Sequence, residues 1–329
     1  IIGNKFRSPN HGELINVQSL GTSLYAKRDL KSGEKTSLKD YEIKAPRTGL
    51  SVGDFVEGYE KKPLLSSLPK GNVLTKTNFC SFSLRNTDKI KNFARQLNLG
   101  LPVRLHDYAF FKNEFDLNTY EFHLSFDEVL SGNLNGAIKK INKEENISIH
   151  LPDYIPGNNL VDPISSDKDV RTESRKIIEK VNSFATAIED KLSKRVKIVG
   201  SFSNSQGHNK ISNLDQIFEY IQKINSNILP QWLPVYAWYF GGTVKLDMFN
   251  SFEDIEYLNR NNLSICLDLS HLVMASNYHK VDWRVWYKAL LPCVEHVHIS
   301  DAANSQTEGL MFGEGLIGDF SEILMINKL

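Results

Sequence analysis

From about residue 85 onward, short apolar runs alternate with stretches whose apolar residues recur every three or four positions. The runs are LPVRLH, YEFHLS, ISIHLP, VKIVGSF, PVYAWYF, SICLDL and VEHVHIS. The clearest helical stripe runs through Ile177, Ile178, Val181, Phe184, Ala185, Ile188 and Leu192. Strands that are apolar throughout and separated by helices must be buried on both faces, which is the mark of a parallel sheet. Seven such units predict an α/β fold: a parallel (β/α)8-type barrel over 85–329 that lacks its last strand, because the chain stops at MINKL.

The ends of those runs carry the chemistry. Five of the nine histidines close a run: His106, His123, His150, His271 and His298. All strand C-termini of such a barrel open onto one face, so histidines repeated there point to a shared polar site. Asp268 lies three residues before His271, which brings a carboxylate and an imidazole to one mouth, with His298 at the end of the next strand. Oxygen and nitrogen donors converging in this way suit a divalent cation (Zn, Mn or Mg) that polarises a sugar carbonyl. Glu121 precedes His123 by two and shares its side one layer deeper; it is either a substitute carboxylate or a core ion partner. Trp238 and Tyr239 either stack on a sugar ring or pack.

Composition narrows the partners. There are 39 basic and 39 acidic side chains, so no charge excess attracts a phosphate backbone or an anionic membrane surface. No apolar run is long enough to span a bilayer. Neither nucleic acid nor membrane is expected as a partner. Cys80, Cys266 and Cys293 are widely spaced and odd in number, which fits free thiols in a reducing, cytoplasmic setting.

The first part of the chain reads differently. Residues 1–21 are polar and irregular, like a linker leaving an upstream domain. Over 22–80, short strand-like runs alternate with Gly and Pro turns, and KSGE and PKGN suggest two similar half-motifs of a small β-rich domain. The SLYA start, the Asp29 to Glu34 turn, Arg47-Thr-Gly-Leu50 and the closing Lys-Gly-x-x-Leu-Thr resemble the SAF (antifreeze-like, β-clip) domain of sialic acid synthases. That resemblance implies a missing synthase barrel upstream. It also implies a homodimer in which Arg47 reaches substrate in the partner, although this chain reads Ala-Pro-Arg-Thr-Gly where the family has Arg-Pro-Gly.

ISIHLP, CLDLSH, HVHISD and FGEG, in that order, resemble the xylose-isomerase-like barrels, which include sugar isomerases, epimerases and apurinic-site endonucleases. The resemblance implies metal ligands at Asp268, His271 and His298, with His271 alternatively contacting substrate. It implies catalytic roles for His150, His271 and Glu314, and sugar or sugar-phosphate contacts at His123, Trp238 and Asp301. Glu314 either contacts ligand or only lies between two turning glycines. The family's fifth-strand glutamate has no counterpart if Ala237 to Phe240 end that strand, and its second glutamate would lie beyond Leu329. The expected function is a metal-assisted sugar isomerase or epimerase barrel attached to a nonulosonic acid synthase-type protein of surface carbohydrate synthesis. The alternative is a degenerate barrel that binds sugar or supports the dimer without chemistry. An apurinic-site nuclease would need a basic surface that this neutral chain does not supply.

Overall fold

A computed structural model describes residues 21–79, 88–203, 209–224, 226–305, 307–310 and 314–317. The chain divides into two compact units, 1–87 and 88–329. Almost all of the linker-like segment 1–21, together with Cys80, His11 and His208, lies outside the described residues.

In the first unit, β1 (Ser23–Ala26) pairs antiparallel with β2 (Tyr41–Lys44). The two turn motifs adopt one local pattern. Leu30 and Leu68 bridge each other, and Gly33 and Gly71 both take φ near +84°, a conformation that favours glycine. Ser37 and Asp40 then form a capping box, as do Thr75 and Asn78. The stretch RTGLSVGDF, which the glycines punctuate, contains a short helix, α1 (Val52–Gly58), capped by Ser51. Leu24, Leu30, Phe55, Leu64 and Leu74 fill the core.

The second unit opens with α2 (Asp88–Gln96) and β3 (Leu101–Val103). Four more strands, β4 (Thr119–His123), β5 (Asn146–His150), β8 (Lys197–Gly200) and β9 (Ile228–Pro230), follow in chain order in one parallel sheet. β12 (Ile265–Asp268) pairs parallel with β13 (Val294–His298). A parallel bridge from Gln231 to Cys266 joins the two sheets. Helices intervene: α3 (Tyr108–Phe115), α4 (Phe126–Ser131), α5 (Leu134–Lys140), α6 (Lys168–Leu192), α7 (Lys210–Lys223), α8 (Phe252–Asn261), α9 (Leu269–Tyr278) and α10 (Trp283–Leu290). α6 begins where the Asp167 carboxylate accepts from the Asp169 and Val170 amides, and its predicted stripe is buried. In strand order four strands lie between β4 and β13, yet Glu121 on β4 and His296 on β13 meet at 2.8 Å. The sheet therefore curls until its inner face confronts itself.

One predicted strand is placed elsewhere. PVYAWYF does not join the parallel sheet. Its β10 (Tyr236–Tyr239) pairs antiparallel with β11 (Gly242–Lys245) in a hairpin turned at Phe240 and Gly241, both with positive φ. The fifth parallel strand is β9, three residues long, and its end is Gln231. A second small hairpin, β6 (Tyr154–Ile155) with β7 (Asn159–Leu160), follows β5. Among the described residues, no helix is long and apolar enough to cross a membrane.

Candidate functional site

The curled sheet gathers side chains from β4, β5, β9, β12 and β13. At their centre is Glu121, almost fully buried. Its Oε1 lies 2.7 Å from His123 Nε2 and 2.9 Å from His298 Nε2. Its Oε2 accepts from Ser148 Oγ (2.8 Å) and meets His296 Nε2 (2.8 Å). Alternation along β4 puts residues 121 and 123 on one side, and the same rule pairs His296 with His298. Burial alone would push the Glu121 carboxyl up, but the imidazoles, His298 first, outweigh it and hold it well below the usual carboxylate range. Glu121 thus faces three imidazoles. The contact to His298 is close but poorly aligned, because His298 Nε2 is a buried atom without a well-directed hydrogen bond.

His123 stacks on His150, with ring centroids 4.7 Å apart. Burial lowers its pKa, and Glu121 only partly offsets this, so its ring is neutral near pH 7. His150 aims Nδ1 at Leu151 O (2.7 Å) and Nε2 at Gln231 Oε1 (3.0 Å).

Gln231 ties four side chains together. Its Oε1 accepts from Ser201 Oγ (2.9 Å) as well as facing His150, and its Nε2 donates to Asp268 Oδ2 (3.0 Å) and reaches His298 Nδ1 (3.1 Å). Asp268 ends β12 and caps α9: Oδ1 accepts from Ser270 Oγ (2.7 Å) and the His271 amide (3.1 Å). Although burial opposes it, His271 and His298 hold the Asp268 carboxyl well below its ordinary value. Burial likewise disfavours a charged His298, but Cys266, Glu121 and Asp268 together hold its pKa well above the imidazole norm. Cys266 itself is a buried thiol pushed up by desolvation.

His271, in the first turn of α9, lies on the edge of this centre, with Nδ1 3.6 Å from Asp268 Oδ2. Its Nδ1 donates to Trp232 O (3.0 Å) and its Nε2 faces Glu308 Oε2 (3.1 Å). Burial lowers its pKa, but Asp268 and Glu308 reverse the effect and raise it to about 9.

The metal trio expected from sequence is not assembled as such. The donor atoms of Asp268, His271 and His298 do not all lie within 4.8 Å of one another, whereas those of Glu121, His123 and His298, and of Cys266, His296 and His298, do. A cation between Asp268 and His298 would also meet the Gln231 amide nitrogen. That NH2 group donates hydrogen bonds and offers a metal no lone pair. As the amide stands, its NH2 group and not its carbonyl oxygen faces Asp268 and His298.

The remaining sequence candidates fall in different places. Asp301 is fully buried and accepts from the amides of Ala302 (2.8 Å), Gly315 (3.0 Å) and Ile317 (3.0 Å), so it braces the loop after β13. A side chain at Gly315 would collide with Asp301, which accounts for one glycine of the Gly-Glu-Gly segment. Phe312 and Gly313 of FGEG are outside the described residues, and Glu314 is exposed. Trp238 is on the β10–β11 hairpin opposite Thr243. Arg47 pairs with Asp54 at 2.9 Å inside the first unit. His106 is largely exposed beside Asp107 and Glu128. Sequence reasoning missed Gln231 and Glu308; the signal for Gln231 was the short run Ile-Leu-Pro, and Glu308 in its loop carried none.

Comparison with known proteins bears on the second unit. The profile of a family described as xylose isomerase-like TIM barrel matches residues 113–326. Among solved structures, endonuclease IV from Thermus thermophilus is similar at 14% identity, covering 69% of this chain and 88% of its own, with a TM-score of 0.45. An L-ribulose 3-epimerase is similar at 12% identity over 61% of this chain and 69% of its own, with a TM-score of 0.39. A putative sugar phosphate isomerase/epimerase from Anabaena variabilis is similar at 12% identity, covering 62% and 73%, with a TM-score of 0.36. No curated protein matches the chain. With a parallel sheet in chain order, polar groups at its strand ends and a family match across most of the second unit, the chain belongs to the xylose isomerase-like TIM barrel family.

Proposed function

We propose that the second unit is a sugar isomerase or epimerase whose proton transfer is carried by His271 and Glu308. The observation that carries this reading is the pair itself. His271 Nδ1 and Nε2 both face oxygen acceptors, Trp232 O and Glu308 Oε2, and Asp268 is 3.6 Å from the ring. Such a ring is held as the imidazolium. A sugar carbonyl oxygen replacing Glu308 as the acceptor from Nε2 would be polarised by that charge. The displaced Glu308 carboxylate is then free to take a proton from the carbon next to the carbonyl and return it to the neighbouring position, or to the opposite face. Family membership supports a polyhydroxy substrate.

The first unit supports a wider setting. Its duplicated turn motif and Arg47 segment agree with a SAF-type domain, so the whole chain reads as the C-terminal part of a nonulosonic acid synthase-like protein, dimeric through that domain. Gln231 favours a second reading, a barrel that binds sugar without chemistry, because an amide stands where the family resemblance implies a carboxylate.

One experiment separates the two. The protein is incubated with a panel of aldoses, ketoses and their phosphates in D2O, and deuterium at the carbon beside the carbonyl is followed by NMR. Exchange that falls at least a hundredfold in Glu308→Gln supports the enzyme. Saturable sugar binding with no exchange would establish the second reading, and cleavage of an abasic DNA duplex would displace both.

A further inference from the structure

We infer that the β6–β7 and β10–β11 hairpins form one joined cover over the ends of β5, β8 and β9, latched by Tyr154 and Phe240, and that its opening gives access to His150. The inference does not depend on the reaction or on the substrate.

The topology is the starting point. The two hairpins follow β5 and β9, which are not neighbours, because β8 lies between them in the sheet. Adjacent strands run about 4.8 Å apart, so the hairpins leave the sheet roughly 10 Å from each other. They nevertheless meet twice, through one cross-strand pair of the first hairpin, Tyr154 and Leu160. The rings of Tyr154 and Phe240 stand edge to face with centroids 5.8 Å apart. Leu160 packs with Leu233 and Leu246, against which Ala237, Tyr239 and Val244 of the second hairpin also pack. This small apolar cluster is separate from the main core of the unit. Ser201, Phe202 and Ser203, which follow β8, are buried, and Ser203 O accepts from the Asp247 amide just past β11 (3.1 Å).

Exposure changes where the hairpins sit. His123 and His150 are partners in register on β4 and β5, and their rings stack at 4.7 Å. Yet the His123 side chain is 36% exposed, whereas His150, Ser201 and Gln231 are buried. Those three end the strands that the hairpins follow or span. The mouth is thus covered on one side and open at His123 and Glu308, whose side chain is 45% exposed.

Phe240 is an unfavourable residue for the turn it occupies. It and Gly241 have φ of +54° and +77°, the left-handed region, where a two-residue hairpin turn normally carries Asn-Gly. Backbone strain kept under a bulky ring points to a use for that ring. Phe240 is half-exposed, so its own burial does not supply the reason, and the ring it meets on the other hairpin, Tyr154, is half-exposed as well. A join made near the surface by two such rings and a few apolar side chains belongs to the low-stability end of a fold, where local opening occurs. The strained ring therefore holds the cover shut without fixing it.

The test is chemical access, with no activity assay. The full chain is treated with diethyl pyrocarbonate at pH 7, and carbethoxylation of each histidine is followed by peptide mass spectrometry. His106, whose side chain is 78% exposed, is the internal reference. Phe240→Asn removes the ring and gives the turn its preferred Asn-Gly pair, so its own hairpin stays formed. F240N and Tyr154→Ala should each raise the rate at His150 at least threefold relative to His106, and the double variant should add less than twofold to the faster single one. Hydrogen exchange across 153–161, where the Val161 amide donates to Asp153 O (3.0 Å), should also quicken in F240N, while the core of α6 keeps its protection. An unchanged ratio of His150 to His106 in F240N overturns the inference. So does faster exchange confined to 236–245, which would make the hairpins independent, and so does acceleration shared by α6, which would be general loosening. F240N carries the test even if Y154A fails to fold by circular dichroism.

Discussion

Gln231 Nε2 donates to Asp268 Oδ2 at 3.0 Å, a side-chain link beside the single parallel bridge by which Gln231 pairs with Cys266. Both backbone and amide therefore join the two sheets of the barrel here. Gln231→Glu puts a second carboxylate against Asp268 and removes the donor that satisfied it. Unfolding free energy at pH 7.5 should fall by about 2–4 kcal/mol, the range for unpairing a buried charge. Urea unfolding of the chelator-treated variant measures this, and an unchanged midpoint would contradict the role given to the amide.

His271 makes stability depend on pH. Burial lowers its pKa, but Asp268 and Glu308 raise it to about 9 from 6.5. A folded-state pKa above the unfolded one contributes stability that is complete below about pH 6.5 and is lost as pH rises through about 9. The shift corresponds to roughly 3 kcal/mol at most. Asp268→Asn should bring the His271 ring, followed by NMR, down toward an ordinary imidazole titration and flatten this part of the pH profile. A wild-type ring titrating near 6.5 would defeat the expectation.

Asp162 works in the opposite sense. It is buried, its Oδ2 has no hydrogen-bond partner, and burial pushes its pKa up to about 6 from 3.8. A raised carboxyl pKa costs stability as pH climbs from the unfolded value through about 6, and the cost is then constant. Asp162→Asn keeps an oxygen for the Ile164 amide, 3.1 Å away, and removes the charge. The variant should be more stable than wild type at pH 7.5, by up to about 3 kcal/mol, and not at pH 4. Thermal melts at both pH values decide it.

Asp301 braces its loop by accepting three backbone amides, those of Ala302, Gly315 and Ile317. Asp301→Ala leaves them without that acceptor and should cost about 2–4 kcal/mol. Amide exchange at 315 and 317 should quicken before the rest of the unit. Protection equal to wild type would show that the loop has other support.

The sequence made the parallel architecture legible because long apolar stripes such as that of α6 leave few alternatives. It misled at the fifth strand. Tyr236 to Tyr239 has the aromatic composition of a strand and is one, but in a hairpin, while β9 is only Ile-Leu-Pro and ends on Gln231. Residues that share one face by alternation, such as Glu121 with His123, were recoverable. Partners across the curled sheet, such as Glu121 with His296, were not, because no local pattern records which strands face each other. Nor did sequence reveal that Asp301 accepts from the amides of its own loop. A carboxylate at a strand end looks the same in sequence whether it faces a ligand or the amides of its own loop.

The contact between Glu121 and His296 spans 175 residues of chain. Loop closure over such a separation is entropically unfavourable until the strands between are in place. Glu121 can therefore meet His296 and His298 only late, after the intervening strands have docked and curled. The completed cluster is then a record of completed folding: a chain in which β13 had not docked would hold Glu121 beside His123 and Gln231 beside Asp268, but would lack His296 and His298.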